Sequence, residues 1–152
     1  FHFYGPGAFT HQRTTINQTQ YTYNREIPYP GDNSYYKDYE QFAGGNPAMF
    51  DAYPIVGREY IEDALQSAVQ WKKDHPDKVL WFGEFGTIRH ANIQWRENWM
   101  RDVIRVAVEN DIPFCSWNYL STPYDCNRFS LVTDDERRIV SSEMLRLIQG
   151  KV

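Results

Sequence analysis

The fold of this chain is best predicted from residues 79–86, which read Val79-Leu80-Trp81-Phe82-Gly83-Glu84-Phe85-Gly86. The apolar run predicts a buried strand, and the two glycines indicate a turn around its end. Because glutamate is rarely buried without a partner, packing alone explains Glu84 poorly. Catalytic groups lie at the C-terminal ends of parallel strands, where Glu84 falls. We interpret Glu84 as a catalytic carboxylate, and a structural ion pair with an arginine or lysine is the alternative.

Strands and amphipathic helices alternate along the chain. Short apolar runs predict the strands, and apolar stripes with helical spacing predict the helices. The predicted elements are a strand at 1–4, a helix at about 58–74, a strand at 79–84, a helix at about 93–110, a strand at 113–118 and a helix that starts at Thr133. Thr133 and Glu136 have the spacing of a capping box. In that last helix the residues expected to be buried are Ile139, Met144, Leu145 and Ile148.

This order predicts an α/β fold with a parallel sheet covered by helices. A doubly wound fold usually carries a glycine-rich phosphate turn, but Gly5-Pro6-Gly7 lacks the third glycine and a following helix, and we interpret it as a plain turn. A (β/α)8 barrel is therefore favoured, and such a barrel takes about 250 residues and eight strands. With 152 residues and three strand–helix units, the chain is expected to be an incomplete barrel. A loop at about 5–56 is far longer than the usual connection of about 2 to 6 residues.

Composition and charge exclude several classes of protein. The chain has a net charge of −4, and no Lys/Arg cluster interleaves with its aromatic residues, which argues against nucleic-acid binding. No apolar run approaches the ~20 residues that a membrane span needs. Cys115 and Cys126 form one disulfide or none, and Cys115, in a predicted strand, is expected to be a buried and inert thiol.

Several short motifs resemble a known family in their order and spacing. They are His2-Phe3-Tyr4, Phe9-Thr10-His11-Gln12, Tyr29-Pro30-Gly31, Gly83-Glu84-Phe85-Gly86 and Trp117. Together they resemble the C-terminal part of the catalytic barrel of glycoside hydrolase family 5, the cellulase family. The resemblance implies that residues 1–152 are the last three βα units of a (β/α)8 TIM barrel. It makes Glu84 the nucleophile, His2 and Tyr4 the residues that flank the reacting sugar, and Trp117 the ring beneath that sugar.

The chemistry of a retaining glycosidase fits these residues. Such an enzyme uses one carboxylate as nucleophile and a second carboxyl group, about 5 to 5.5 Å away, as acid and base. A hydrogen bond from Tyr4 would favour the charged form of Glu84, and His2 can hold a sugar hydroxyl. Trp117 offers a flat face for stacking, although a core tryptophan is the alternative. The family's acid/base lies in an Asn-Glu-Pro type motif, and no Asn-Glu pair occurs here, so the fragment alone is expected to be inactive.

Weaker candidates lie in the loops. His11 either lines the cleft or fixes nearby backbone, and His90 is close enough in sequence to Glu84 to contact substrate. No two histidines have metal-ligand spacing, so we expect neither a metal site nor another cofactor. The tyrosines of the long loop form either sugar subsites or a private core of that loop; they are Tyr21, Tyr23, Tyr29, Tyr35, Tyr36 and Tyr39.

The sequence therefore predicts a retaining β-glycosidase that binds a β-linked polysaccharide or oligosaccharide, with an endo-β-1,4-glucanase as the leading version. Mannan and β-1,3-glucan stay open as substrates, and a non-catalytic carbohydrate-binding module is the alternative class. The resemblance also implies a secreted or periplasmic protein.

Overall fold

The computed structural model describes residues 1–11, 23, 25–120, 129–133 and 136–152. Its elements, in chain order, are β1 (His2–Phe3), α1 (Gly7–Thr10), β2 (Gly31–Asp32), α2 (Asn33–Ala43), a 3-10 turn (Pro47–Phe50), β3 (Ile55–Val56), α3 (Arg58–Asp74), β4 (Glu84–Phe85), α4 (Ile93–Glu109) and α5 (Ser142–Ile148). None of the helices within this described part is both long and apolar enough to cross a membrane.

Three segments lie side by side in parallel, as the strand–helix order predicts. β1 pairs with β4, with His2 opposite Glu84. Phe82, just before β4, forms a parallel bridge with Phe114 in the next predicted strand. The regular pairing is shorter than the predicted strands. Among the described residues the sheet stays open, because the outer two segments each pair on one side only.

The predicted helices α3 and α4 are confirmed, and they cover one face of this sheet. Asn92 begins α4 because its side chain accepts the Gln94 N–H at 2.9 Å. From α4, Trp99 packs parallel to the ring of Phe3, with 6.3 Å between centroids, and also contacts Phe85. Its indole N–H donates to the Gly5 carbonyl at 2.9 Å. Trp99 thus holds both paired strands against the helix layer.

The helix predicted to start at Thr133 is wrong. Thr133 instead pairs with Arg138: its Oγ1 accepts the Arg138 N–H at 3.0 Å, and its own N–H donates to the Arg138 carbonyl at 2.8 Å. A threonine that bonds nearby backbone favours turns as well as helix caps, so the capping-box spacing was ambiguous. The helix begins later, where Ser141 accepts the Met144 N–H at 3.1 Å.

The burial predicted for that helix is correct only in part. Met144 is buried and Ile148 is partly buried against the core, but Ile139 and Leu145 are exposed. Ile139 lies before the helix, in an antiparallel bridge with Val132. Leu147 takes the second buried position instead.

The predicted loop at 5–56 is also corrected, because it contains α1, α2 and the antiparallel pair β2–β3. A short helix begins at Gly7, so Gly5-Pro6-Gly7 is more than a plain turn. Tyr36 is buried and donates to the Pro28 carbonyl at 2.6 Å. Tyr29 is buried and donates to Asp102 of α4 at 2.9 Å.

The other tyrosines of this region divide between core and surface. Tyr23 is buried and packs edge-on against the half-buried Tyr39, whereas Tyr35 is exposed and Tyr21 lies outside the described residues. The described tyrosines of this region are therefore mainly part of its hydrophobic core.

Several side chains predicted to be buried by the sheet are exposed, Val79 among them. Trp81 and Cys115 both lie at the surface, so the expectation of a buried Cys115 thiol is wrong. Neighbouring strand residues point to opposite faces. Phe114 contacts the ring of Phe85 on the helix side, and Cys115 therefore points to the uncovered face. Cys126 lies outside the described residues.

Candidate active site

The candidate site lies at the paired strands β1 and β4 and follows from their register. His2 is opposite Glu84, and paired residues of parallel strands point to the same face. Tyr4 follows His2 by two positions and points the same way. Phe3 and Phe85 point to the other face, where they meet α4. Strand alternation thus places two hydrogen-bonding side chains around one carboxylate.

The carboxylate of Glu84 is held through one of its two oxygens. The Tyr4 hydroxyl donates to Oε2 at 2.9 Å, and His2 Nδ1 lies 3.2 Å from the same oxygen. No group of the described residues hydrogen-bonds to Oε1. The arrangement fixes the carboxylate and leaves one oxygen available for another reactant. We call His2, Tyr4 and Glu84 the Glu84 site.

Tyr4 is a permanent donor in this site. Burial, the hydrogen bond to Glu84 and the negative charge of Glu84 all raise the pKa of Tyr4 well above its usual value. The hydroxyl therefore keeps its proton over the whole range in which an enzyme works. A hydrogen bond to the charged form of a carboxylate stabilises that form.

His11 joins the site through Tyr4 rather than through Glu84. Its ring packs edge-on against Tyr4, with 5.6 Å between centroids, and against Phe129 at 5.1 Å. Its Nδ1 lies 2.8 Å from the hydroxyl of Thr10, which also donates to the Tyr4 carbonyl at 2.6 Å. Burial lowers the pKa of His11. These contacts show His11 fixing the surroundings of Tyr4, and contact with substrate stays a prediction.

The sequence analysis missed Phe129 and Thr10. Phe129 is buried and packs against Tyr4 at 5.5 Å. A single aromatic residue in an irregular segment gives no periodic signal, so nothing in its neighbourhood indicated this role. Thr10 belonged to a quoted motif, but only the fold shows that its hydroxyl reaches back to Tyr4.

Trp117 lies beside this site and is 42% exposed, which argues against the core alternative. The backbone N–H of Trp117 donates to the Phe85 carbonyl at 2.7 Å, so the backbone of Trp117 is fixed to β4. A Cβ added to Gly86 would overlap the carbonyl oxygen of Trp117. The close approach of these two segments therefore requires glycine at 86. Stacking of Trp117 on a sugar stays a prediction.

His90 lies apart from His2, Tyr4 and Glu84, and its contact with substrate stays a prediction. It is exposed, in the loop between β4 and α4, and lines a neighbouring cavity together with Arg89 and Arg96. No contact joins it to Glu84. Within the described ranges, no group of three or more His, Cys, Asp or Glu side chains is placed to bind a metal ion.

No family model matches the chain. Curated relatives match nearly all of it: Endoglucanase C of Acetivibrio thermocellus is 30% identical over 152 residues, which cover 97% of this chain and 41% of the relative. Endoglucanase C307 of Clostridium sp. (strain F1) matches with the same identity and coverage. The chain thus spans about two fifths of the length of the curated relatives it matches.

Solved structures share the fold. A hyperthermophilic endo-beta-1,4-glucanase in complex with substrate aligns with a TM-score of 0.65 and 20% identity, over 98% of this chain and 38% of that one. Thermotoga maritima Cel5A in complex with cellobiose aligns with a TM-score of 0.59 and 18% identity, over 97% and 38%. A family 5 xyloglucanase from Paenibacillus pabuli aligns with a TM-score of 0.59 and 17% identity, over 99% and 37%.

Proposed function

This chain is related to the endoglucanases of glycoside hydrolase family 5, and we propose that it is part of a retaining β-glycosidase in which Glu84 is the nucleophile. The observation that carries the proposal is the carboxylate of Glu84, held at Oε2 by Tyr4 and His2 while Oε1 accepts no hydrogen bond from the described residues. A nucleophile needs one oxygen fixed and the other free to form a bond.

The proposed reaction has two steps. Oε1 of Glu84 attacks the anomeric carbon while a second carboxyl group protonates the leaving oxygen, which gives a covalent glycosyl-enzyme. That second group then removes a proton from water, and the water displaces Glu84. Tyr4 stays protonated throughout, so it holds Oε2 when the carboxylate is charged and again when it is released. We propose that the second carboxyl group is supplied by a residue outside 1–152.

A β-1,4-glucan is the substrate we propose first. In support, the curated relatives carry the name endoglucanase, and one structural neighbour is described as an endo-beta-1,4-glucanase with substrate bound. The half-exposed ring of Trp117 can stack on a pyranose. A mannan is the second candidate, because Thermotoga maritima Cel5A is also described in complex with mannotriose. A β-1,3-glucan has no further support.

We further propose that residues 1–152 form the last three strand–helix units of one (β/α)8 catalytic domain. The support is the parallel order of the three strand segments, the open sheet, and alignment to 38% of a solved endoglucanase chain. The alternative of a non-catalytic binding module is disfavoured, since such modules are commonly β-sandwiches and this sheet is parallel and covered by helices. Secretion or export to the periplasm also stays a proposal.

Replacement of Glu84 in the full-length enzyme tests the function. Glu84→Gln is expected to lower kcat by about three orders of magnitude or more and to leave oligosaccharide binding nearly unchanged, because it removes a bond formed only in the reaction. Glu59→Gln, in the first turn of α3, is a control with the same change and should retain full turnover. Retention of more than about a tenth of the wild-type kcat by Glu84→Gln would contradict the assignment.

A further inference from the structure

The cavity lined by His90 is separate from the Glu84 site. Its volume is about 740 Å³, and it lies between the start of α4 and the segments at 130–133 and 140. Arg96 lines its inner wall, and Arg89 and His90 also line it. We call it the Arg96 cavity. Nothing in the proposed reaction at Glu84 uses it.

Arg96 is a buried cation with neutral partners. The residue is only 2% exposed, its Nε donates to Oγ1 of Thr87 at 3.1 Å, and its Nη2 donates to the Ser130 carbonyl at 3.3 Å. No carboxylate of the described residues hydrogen-bonds to it or forms an ion pair with it. Burial lowers the pKa of Arg96 to about 10, so the guanidinium is still charged at neutral pH. Glu97, the nearest acid in sequence, instead accepts the hydroxyl of Ser141 at 2.6 Å.

One nitrogen of the Arg96 guanidinium has no hydrogen-bond partner among the described residues. Nη1 of Arg96 donates no hydrogen bond to any described residue, and it is not among the fully enclosed polar atoms without a partner. Since Arg96 lines the cavity, Nη1 is the guanidinium nitrogen left to serve a ligand there. Burial of a cation is costly, and among the described residues only the charge of Glu97 offsets that cost for Arg96. An anion bound in the cavity would offset more of it.

The rest of the wall also suits an anion. Arg89 adds a positive charge to the wall, and α4 begins at Ile93 on the rim, so its backbone N–H groups and dipole add positive potential. A planar carboxylate matches the fork of a guanidinium better than a spherical ion does. The geometry favours a carboxylate ligand.

Two residues that accept hydrogen bonds from Arg96 connect the cavity to the Glu84 site. Thr87, which accepts from Arg96, follows Glu84 by three positions. Ser130, the other acceptor, follows Phe129, whose ring packs against Tyr4. We propose that the Arg96 cavity binds the carboxylate of an acidic sugar unit carried by the polysaccharide that the Glu84 site cleaves. This inference rests on the proposed function and deepens it by naming the substrate class.

The test uses two ligands that differ in a single group. The full-length protein with Glu84→Gln, which prevents turnover, is titrated calorimetrically with a β-linked oligosaccharide that carries one glucuronosyl unit and with its carboxyl-reduced, neutral counterpart. The acidic ligand is expected to bind about tenfold more tightly, as for a charge-assisted hydrogen bond. Arg96→Gln should remove this preference. A second variant is needed because Arg96→Gln also breaks two buried hydrogen bonds.

Ile93→Glu is that second variant. Ile93 is exposed on the rim of the cavity, and an acid in the first turn of α4 suits the helix dipole, so the fold should be kept. Ile93→Glu should abolish the preference for the acidic oligosaccharide, because the new carboxylate repels the carboxylate of the ligand. Gln94→Glu lies one position further along, outside the cavity lining, and should retain the preference.

Equal affinity for the acidic and the neutral oligosaccharide would overturn the inference and leave the proposed function standing. Binding of neither oligosaccharide would count against both. Free acetate or sulfate could instead bind to the wild type and lose affinity in Ile93→Glu, while the two oligosaccharides bind equally well. That result would show a site for small anions and would also overturn the assignment to substrate.

Discussion

The hydroxyl of Tyr4 donates a 2.9 Å hydrogen bond to Oε2 of Glu84, although 80 positions separate the two residues in the chain. The parallel pairing of β1 with β4 brings them together, because His2 stands opposite Glu84 and Tyr4 follows on the same face. The register of two short strands thus determines the geometry of the proposed nucleophile.

Removal of the Tyr4 hydroxyl is expected to slow the reaction. Tyr4→Phe deletes a hydrogen bond to a charged group, which is worth about 1.5 to 3 kcal/mol, and should lower kcat/KM by about 10- to 100-fold. Tyr53→Phe is the matched control, since Tyr53 donates to Asp63 at the same 2.9 Å but at an exposed place away from the site. Steady-state kinetics of the full-length enzyme check both variants, and equal rates for the two would count against the role of Tyr4.

Trp117 and Trp99 should respond in opposite ways to alanine. Trp99 is fully buried against Phe3 and Phe85, so Trp99→Ala should cost about 3 to 5 kcal/mol of unfolding free energy. Trp117 is 42% exposed, so Trp117→Ala should cost less than ~3 kcal/mol but weaken oligosaccharide binding. Denaturant unfolding and calorimetric titration measure the two quantities. A large loss of stability in Trp117→Ala, with binding unchanged, would return Trp117 to a structural role.

Gly86 should not tolerate a side chain. Gly86→Ala places a methyl group against the Trp117 carbonyl oxygen and is expected to cost roughly 1 to 3 kcal/mol and to displace Trp117. Gly7→Ala is the matched control, because a Cβ there meets nothing within 4 Å. Its effect should stay within about 0.5 kcal/mol. Thermal unfolding of the two variants compares their stabilities directly. Similar melting temperatures would show that the backbone at Trp117 can move away from a side chain at position 86 without cost.

The stability of the enzyme should fall in mild acid because of His11. Burial lowers the pKa of His11 below 6.5, so the unfolded chain binds this proton more readily than the folded chain does. The contribution of neutral His11 to the free energy of unfolding is fully present above pH 6.5. It is lost as the pH falls through the pKa of His11 in the folded protein. Unfolding measured from pH 8 to pH 5 should show a shallower pH dependence in His11→Gln than in the wild type, and equal slopes would contradict the claim.

The sequence predicted those parts of the fold in which local pattern and packing agree. Helices α3 and α4 carry regular apolar stripes. Glu84 ends an apolar run flanked by glycines, which favours a strand, and β4 begins at that residue. The Tyr4–Glu84 contact was foreseen because strand alternation and the family resemblance point to the same pair.

Other parts depended on contacts between distant segments. The helix α2 has a polar, tyrosine-rich sequence whose burial comes from packing within its own region, so its pattern resembles a loop. Thr133 has the sequence of a helix cap, but its hydroxyl accepts the N–H of Arg138. The roles of Phe129 and Arg96 arise only when the segment at 129–133 folds back onto the site.

The most direct test of the central claim is covalent trapping of the nucleophile. A retaining glycosidase that attacks a 2-fluoro-substituted β-glycoside expels its good leaving group and accumulates the glycosyl-enzyme, which mass spectrometry of peptides can assign to one side chain. The full-length enzyme incubated with such a cellobioside is expected to carry one added 2-fluorocellobiosyl group, on Glu84. A label on another carboxylate, or an enzyme that hydrolyses β-glucan with inversion and is never labelled, would contradict the account.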